Sequence, residues 1–140
     1  MLYSIHKSKI LIAGVSGYVG SFLFEKLHNE YDITGLKNSR DSTHTDFFSL
    51  ALTDKADVEN FAEKSPKFDV LFFLVGLAHK KGKGKELDEF RRINKQTLVN
   101  LLSKLDEKNK LPEKIIFATH QTRITIHRFN NRKININNSE

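Results

Sequence analysis

The chain has 140 residues, 39% of them hydrophobic, and a formal net charge of +6 at pH 7. This length suits one domain with a moderate core, and the absence of cysteine excludes disulfides and thiolate metal sites. No apolar run approaches the roughly 20 residues of a membrane span, and the first residues, MLYSIHKSK, lack the apolar centre of a secretory signal, so we expect a cytoplasmic protein with no membrane partner.

The positive charge is concentrated near the end of the chain. Residues 121–140 contain four basic residues and one acidic residue, which together supply half of the net charge. The basicity therefore says little about the rest of the chain, and we do not expect nucleic acid as a partner.

A predicted strand, a glycine-rich turn and a predicted helix follow one another near the start. Residues 9–13, KILIA, are a short apolar run typical of a strand buried on both faces. Gly14, Gly17 and Gly20 come next, and a helical pattern of apolar residues then begins. In such a corner the first glycine permits a tight turn, the second lets backbone approach a pyrophosphate, and the third lets helix pack closely on strand. The spacing GxxGxxG departs from GxGxxG, but its position between strand and helix favours a phosphate-binding corner.

The second predicted strand, at 31–36, ends in a basic and polar segment. Dinucleotide folds place an acidic residue there on the adenosine ribose, whereas this chain has Lys37, Asn38, Ser39 and Arg40. Cationic and hydroxyl groups suit a 2′-phosphate, which favours NADP over NAD. The alternative is that these are solvated loop residues, with Asn38 and Ser39 forming a turn.

Strands and helices alternate along the rest of the chain. Apolar runs and helical spacing predict, in order, strand 47–52, helix 54–64, strand 68–76, helix 86–108 and strand 114–119. Thr53 and Asp57 resemble a capping box at the start of helix 54–64. The alternation predicts an α/β fold, a doubly wound, Rossmann-like parallel sheet with helices on both faces, truncated after about the fifth strand.

Four of these segments resemble the NAD-dependent epimerase/dehydratase family of extended short-chain dehydrogenase/reductases, and within it UDP-glucose 4-epimerases. KILIAGVSGYVGS is similar to the family's KILITGxxGFVGS, and FDVLFFLVGL to its VDxVxHLAG. FRRINKQTLVNLL is similar to FxxxNxxGTxNLL, and KIIFAT to the strand before the family's serine pair. The resemblance covers about residues 9–118 and implies a domain at 1–120 that binds NADP or NAD.

The resemblance also implies roles for individual residues. The pyrophosphate would be lined by Gly14, Gly17, Tyr18, Val19 and Gly20. Val75 and Gly76 would lie under the cofactor ribose, and Leu52 would border the adenine. Asn94 would tie the central strands together near the nicotinamide. We expect no metal site.

The sequence lacks the family's catalytic pair. Family catalysis uses Tyr-x-x-x-Lys after the fifth strand, with the tyrosine as acid and base, but the tyrosines here are Tyr3, Tyr18 and Tyr31, and His120 replaces the catalytic serine or threonine. We therefore expect no catalytic residue: the chain would be the NAD(P)-binding part of a nucleotide-sugar epimerase/dehydratase-like protein, inactive alone. A nucleotide sugar would bind only in a full-length relative. The alternative is a non-catalytic NADP-binding or sensor module.

Residues 121–140 match no element of the family. Their bias toward Asn, Ile, Arg and Lys suits out-of-frame reading of an AT-rich gene. We expect this tail to be either the product of such a frameshift or a disordered basic end.

Overall fold

A central sheet organises the residues that the computed structural model describes, which are 6–38, 46–75, 85–118 and 124–128. The strands are β1 (Lys9–Ala13), β2 (Asp32–Lys37), β3 (Phe47–Ser49), β4 (Val70–Phe73), β5 (Lys114–Ala118) and β6 (Ile124–Arg128). The helices are α1 (Tyr18–Leu27), α2 (Lys55–Lys64) and α3 (Lys85–Glu107). In this part of the chain, no helix combines the length and the apolar character needed to cross a membrane.

The strand order in the sheet is β3-β2-β1-β4-β5-β6. The first five strands pair in parallel, with Ile12 of β1 opposite Gly35 of β2 on one side and Phe72 of β4 on the other. β1 is thus a central strand, and the chain moves outward from it first in one direction and then in the other. This arrangement confirms the predicted doubly wound parallel sheet.

Alternate residues of β1 enter two separate hydrophobic clusters, one on each face of the sheet. Leu11 and Ala13 pack in a cluster that contains the buried apolar residues of α2 and α3. Ile10 and Ile12 pack in a second cluster, against which apolar residues of α1 lie. The short run KILIA is buried on both faces because helices cover both faces, as predicted.

Some boundaries differ from the sequence-based expectation. β3 and β4 are shorter than the apolar runs that predicted them. Leu50 and Leu52 follow β3, Leu74 and Val75 follow β4, and all four line a cavity instead of extending the ladder.

The expected capping box of Thr53 with Asp57 is wrong. Asp54 is the N-cap of α2, and its Oδ1 accepts hydrogen bonds from the amides of Ala56 at 2.9 Å and Asp57 at 3.3 Å.

The sixth strand was not anticipated. β6 pairs antiparallel with β5, with Ile126 opposite Ile116. Without it, one side of β5 would present a row of unpaired backbone groups, so a short segment of suitable β-propensity is taken up at this edge. The remaining residues of the predicted tail, 121–123 and 129–140, lie outside the described part of the chain.

Candidate functional site

The candidate site lies where the chain turns from β1 into α1. β1 has β2 on one side and β4 on the other, so this turn is at the point where the winding of the sheet reverses, the usual ligand position in such folds. The amides of Gly14 and Val15 both donate to the carbonyl oxygen of Leu36, at 3.0 and 3.1 Å. The amide of Gly17 donates to the carbonyl oxygen of Gly14 at 3.1 Å. The two bonds to Leu36 attach the turn to the carboxyl end of β2, and the third closes the turn itself.

At two of the three glycines, neighbouring backbone atoms leave no room for a Cβ. Gly14 has a φ of +88°, and a Cβ there would lie 3.0 Å from the carbonyl carbon of Leu74. A Cβ on Gly20 would lie 2.2 Å from the carbonyl oxygen of Gly14 and 2.9 Å from Cα of Val15. Gly20 thus permits the close approach of α1 to the β1 turn that the third glycine of such a corner provides.

Gly17 has a different surrounding, because it faces the cavity. Among the described residues, a Cβ on Gly17 would meet just the carbonyl oxygen of Gly14, at 3.3 Å. Gly17 is the N-cap of α1, no side chain caps this helix end, and the first turn contains no acidic residue. The first amides of a helix have no partner within the helix, and the helix dipole makes this end positive. The arrangement therefore leaves amide donors available to an anion.

A cavity of about 730 Å³ opens in front of this turn. Its walls come from the turn and α1, the end of β2, the segments after β3 and β4, and α3. The lining residues are Gly14, Ser16, Gly17, Tyr18, Val19, Gly20, Leu36, Lys37, Asn38, Leu50, Leu52, Thr53, Leu74, Val75, Asn94 and Thr97. The volume lies within the range of small-molecule and cofactor sites, and apolar walls with a few polar groups are typical of them.

The charge of the cavity favours an anionic ligand. Among the described lining residues, Lys37 is the one charged side chain, and no carboxylate is present. Lys37 is the last residue of β2 and is 6% exposed. Within the described part of the chain, no group of three or more His, Cys, Asp or Glu residues could hold a metal ion. An uncapped helix end, one lysine and apolar walls fit the phosphates and the rings of a dinucleotide.

The helix α3 closes one side of the cavity with two polar residues. Thr97 is buried, and its Oγ1 donates to the carbonyl oxygen of Asn94 at 2.9 Å. Asn94, one turn earlier, is half-buried and lines the cavity. The helix thus presents an amide side chain to the cavity, although most of its sheet-facing residues are apolar.

The structure brings ten of the residues predicted from the sequence into this one cavity. They are Gly14, Gly17, Tyr18, Val19, Gly20, Lys37, Asn38, Leu52, Val75 and Asn94. The other two, Arg40 and Gly76, lie outside the described residues, as does His120.

Six lining residues were not predicted from the sequence. They are Ser16, Leu36, Leu50, Thr53, Leu74 and Thr97. Leu36 and Leu74 lie at the carboxyl ends of predicted strands, which meet at one edge of a parallel sheet, so their positions carried a usable signal. Thr97 lies within the segment that resembles the family's helix, one turn after Asn94.

The sequence pattern of the NAD-dependent epimerase/dehydratase family matches residues 10–121. The chain belongs to this family. Membership in an NAD-dependent family supports the predicted cofactor, NADP or NAD. No curated protein sequence matches the chain significantly.

Solved structures of two epimerases and of a third enzyme have the same fold. A UDP-glucose 4-epimerase is 23% identical with a TM-score of 0.64, over 80% of this chain and 35% of its own. The Helicobacter pylori ADP-L-glycero-D-manno-heptose-6-epimerase is 21% identical with a TM-score of 0.57, over 85% of this chain and 41% of its own. The Bordetella bronchiseptica enzyme WbmG, solved in complex with NAD, is 15% identical with a TM-score of 0.58, over 85% of this chain and 39% of its own.

The similarity to these three structures concerns the fold and covers part of their length. With identities of 23% or less among these three, it establishes the fold of this family member and not its substrate. The chain spans about two fifths of the length of these structures or less.

Proposed function

We propose that this chain binds NADP or NAD in the 730 Å³ cavity, as the dinucleotide-binding part of a nucleotide-sugar epimerase or dehydratase. One observation carries the proposal. The N-terminus of α1 has no side-chain cap, begins at a glycine, and faces a cavity whose one charged lining residue in the described chain is Lys37. Family membership supports the same cofactor.

The cofactor would lie across the turn, with its two halves on opposite sides of β1. The pyrophosphate would accept hydrogen bonds from amides of the first turn of α1, beside Gly17. The adenosine would extend toward the end of β2, where Lys37 and Asn38 lie. The nicotinamide half would extend toward Val75, after β4, and Asn94 of α3.

The reaction of a nucleotide-sugar epimerase needs both a hydride acceptor and a base. A bound nicotinamide supplies a hydride acceptor, but removal of a sugar hydroxyl proton needs a positioned base. The tyrosines of the chain are Tyr3, Tyr18 and Tyr31, and none follows the fifth strand. We infer that the 140-residue chain binds the dinucleotide without turning over a sugar. A non-catalytic NADP-binding or sensor module is the second candidate, and the position of Lys37 in the cavity wall favours its cofactor.

Calorimetric titration with NADPH and NADH tests the binding proposal. We expect both to bind, with NADPH about tenfold tighter at low salt, because the Lys37 ammonium would pair with the 2′-phosphate. Lys37→Gln should bring the two affinities within about twofold while NADH binding persists. Lys64→Gln is the matched control, since Lys64 is an exposed lysine at the end of α2 and does not line the cavity.

Two results would contradict this proposal in different ways. Failure of both nucleotides to bind the folded protein would refute the site. Tighter binding of NADH than of NADPH would refute the role of Lys37 and leave the site standing.

An activity assay tests the inference that the chain has no turnover. The purified protein is mixed with NAD or NADP and a panel of UDP- and GDP-sugars, and is followed at the nicotinamide absorbance and by product chromatography. We expect no turnover, because a positioned acid/base group typically contributes about 10²–10⁴-fold. Turnover that vanishes in His120→Ala would overturn this inference and make His120 the base.

A further inference from the structure

Asn100 of α3 is a buried amide with a hydrogen bond at each end. It is 6% exposed and lies beside Leu101 and Leu102, which are core residues. Its Nδ2 donates to the carbonyl oxygen of Leu52 at 3.1 Å, and its Oδ1 accepts from Nε2 of Gln96 at 2.8 Å. A buried amide destabilises a fold unless it is hydrogen-bonded, and asparagine is a poor helix former. Both features call for a reason why this position is not apolar.

The partner of Asn100 belongs to a wall of the cavity. Residues 50–53 connect β3 to α2, and Leu50, Leu52 and Thr53 all line the cavity. The amide of Leu50 donates to the carbonyl oxygen of Lys37 at 2.8 Å, which attaches the start of this segment to β2. The amide of Asp54, the next residue, donates to the carbonyl oxygen of Ala51 at 3.0 Å, which closes a turn at the end of the segment. The bond from Asn100 spans 48 residues and attaches the middle of the segment to α3.

The position of this wall relative to β2 indicates which half of a dinucleotide it would meet. In the proposed function, the adenosine ribose lies at the end of β2. β3 is the next strand outward, and Leu50 is bonded directly to Lys37. A base attached to that ribose would therefore lie against residues 50–53, whereas the nicotinamide half lies on the β4 side.

We propose that Asn100 is a positioning residue for the adenine end of the dinucleotide site, through its hydrogen bond to the carbonyl oxygen of Leu52. The inference rests on the proposed function and adds to it. The bond holds the segment 50–53 at a set distance from α3, and so gives Leu50 and Leu52 the position in which they form an apolar wall for the base. Asn100 itself does not line the cavity.

The test compares two half-ligands on matched variants. Asn100→Asp keeps the size of the side chain and the acceptor for Gln96 but removes the donor to Leu52. Adenosine 2′,5′-bisphosphate probes the adenine side, and nicotinamide mononucleotide probes the other side, both followed by ligand-observed NMR. We expect Asn100→Asp to lower the affinity for adenosine 2′,5′-bisphosphate about fivefold or more, since the net value of one hydrogen bond corresponds to a change of this size. The affinity for nicotinamide mononucleotide should change less than about twofold.

Gln96→Leu is the control, because it removes the other partner of Asn100 and leaves the bond to Leu52. It should change neither affinity more than about twofold. Equal loss of both half-ligands in Asn100→Asp would mean a general structural role and would overturn the inference. Failure of all three ligands, NADPH included, to bind the unmodified protein would refute the proposed function and this inference with it.

A measurement on the unmodified protein covers the case in which Asn100→Asp does not fold. Bound adenosine 2′,5′-bisphosphate should show nuclear Overhauser contacts from its adenine protons to methyl groups of Leu50 or Leu52. Binding without such contacts would overturn the inference, because the base would then lie elsewhere.

Discussion

The helices α1 and α2 have the same length and begin at the same end of the sheet, but their N-termini are built differently. Each has ten residues and a lysine in its last turn. At the start of α2, the carboxylate of Asp54 accepts hydrogen bonds from two backbone amides, and Asp57 lies in the first turn. At the start of α1, Gly17 offers no capping side chain and no acid follows. The chain satisfies amides at the start of α2 with its own carboxylate and provides no side-chain cap at the start of α1.

The two helices also differ in the contacts that hold them against the sheet. α2 buries Val58, Phe61 and Ala62 against the sheet, as expected of an amphipathic helix. In α1 the one fully buried residue is Gly20, and Tyr18 is 94% exposed. The start of α1 is therefore located by close backbone contact rather than by apolar side chains. This placement brings its open amides to the edge of the cavity.

The largest expected effect comes from blocking the backbone contact of α1. In an exposed helix, a glycine-to-alanine change would add about 1 kcal/mol of stability. In Gly20→Ala the new Cβ would lie 2.2 Å from the Gly14 carbonyl oxygen, so we expect a net loss of about 3 kcal/mol or more in the free energy of unfolding. Urea denaturation measures it, with Gly17→Ala as the control, because its Cβ has 3.3 Å to the same oxygen. Equal stability of Gly20→Ala and the unmodified protein would show that the helix can shift away at little cost.

The next effect comes from making the start of α1 resemble that of α2. Gly17 has an extended backbone, φ −72° and ψ 170°, which aspartate can adopt as an N-cap. Gly17→Asp should change the free energy of unfolding by a few tenths of a kcal/mol. It should lower the affinity for NADPH at least about tenfold, because the carboxylate would repel the pyrophosphate. Calorimetry on Gly17→Asp and the neutral Gly17→Asn separates charge from bulk. Equal affinities of the two variants would mean that the helix end does not face the phosphates.

The smallest effect comes from removing the cap of α2. Asp54→Ala leaves the amides of Ala56 and Asp57 without their carboxylate, and we expect a loss of about 1 kcal/mol in the free energy of unfolding. Asp54→Ser should recover most of this loss, because serine is also a good N-cap. Urea denaturation of the three proteins provides the comparison. A loss in Asp54→Ala that serine does not reduce would argue against a capping role.

Much of this fold and site could be predicted from local patterns. The continuous apolar run of Ile10, Leu11, Ile12 and Ala13 predicted a strand buried on both faces, and the structure divides these residues between two clusters. The three glycines predicted the phosphate corner, because a positive φ and a close backbone approach each need the absence of a Cβ. The family resemblance then supplied distant members of the site, such as Asn94.

The sequence by itself determined the features that depend on neighbouring residues: the strands, the helices and the glycine corner. The cap of α2 is local as well, since Asp54 binds amides two and three residues along the chain, and the helix begins one residue later than the pattern indicated. Two features depended on the tertiary structure. β6 joins the sheet antiparallel because β5 has a free edge at that place. Asn100 meets the Leu52 carbonyl across 48 residues because α3 packs beside the segment after β3. Such contacts are set by where whole elements pack, and no local pattern of residue types specifies them.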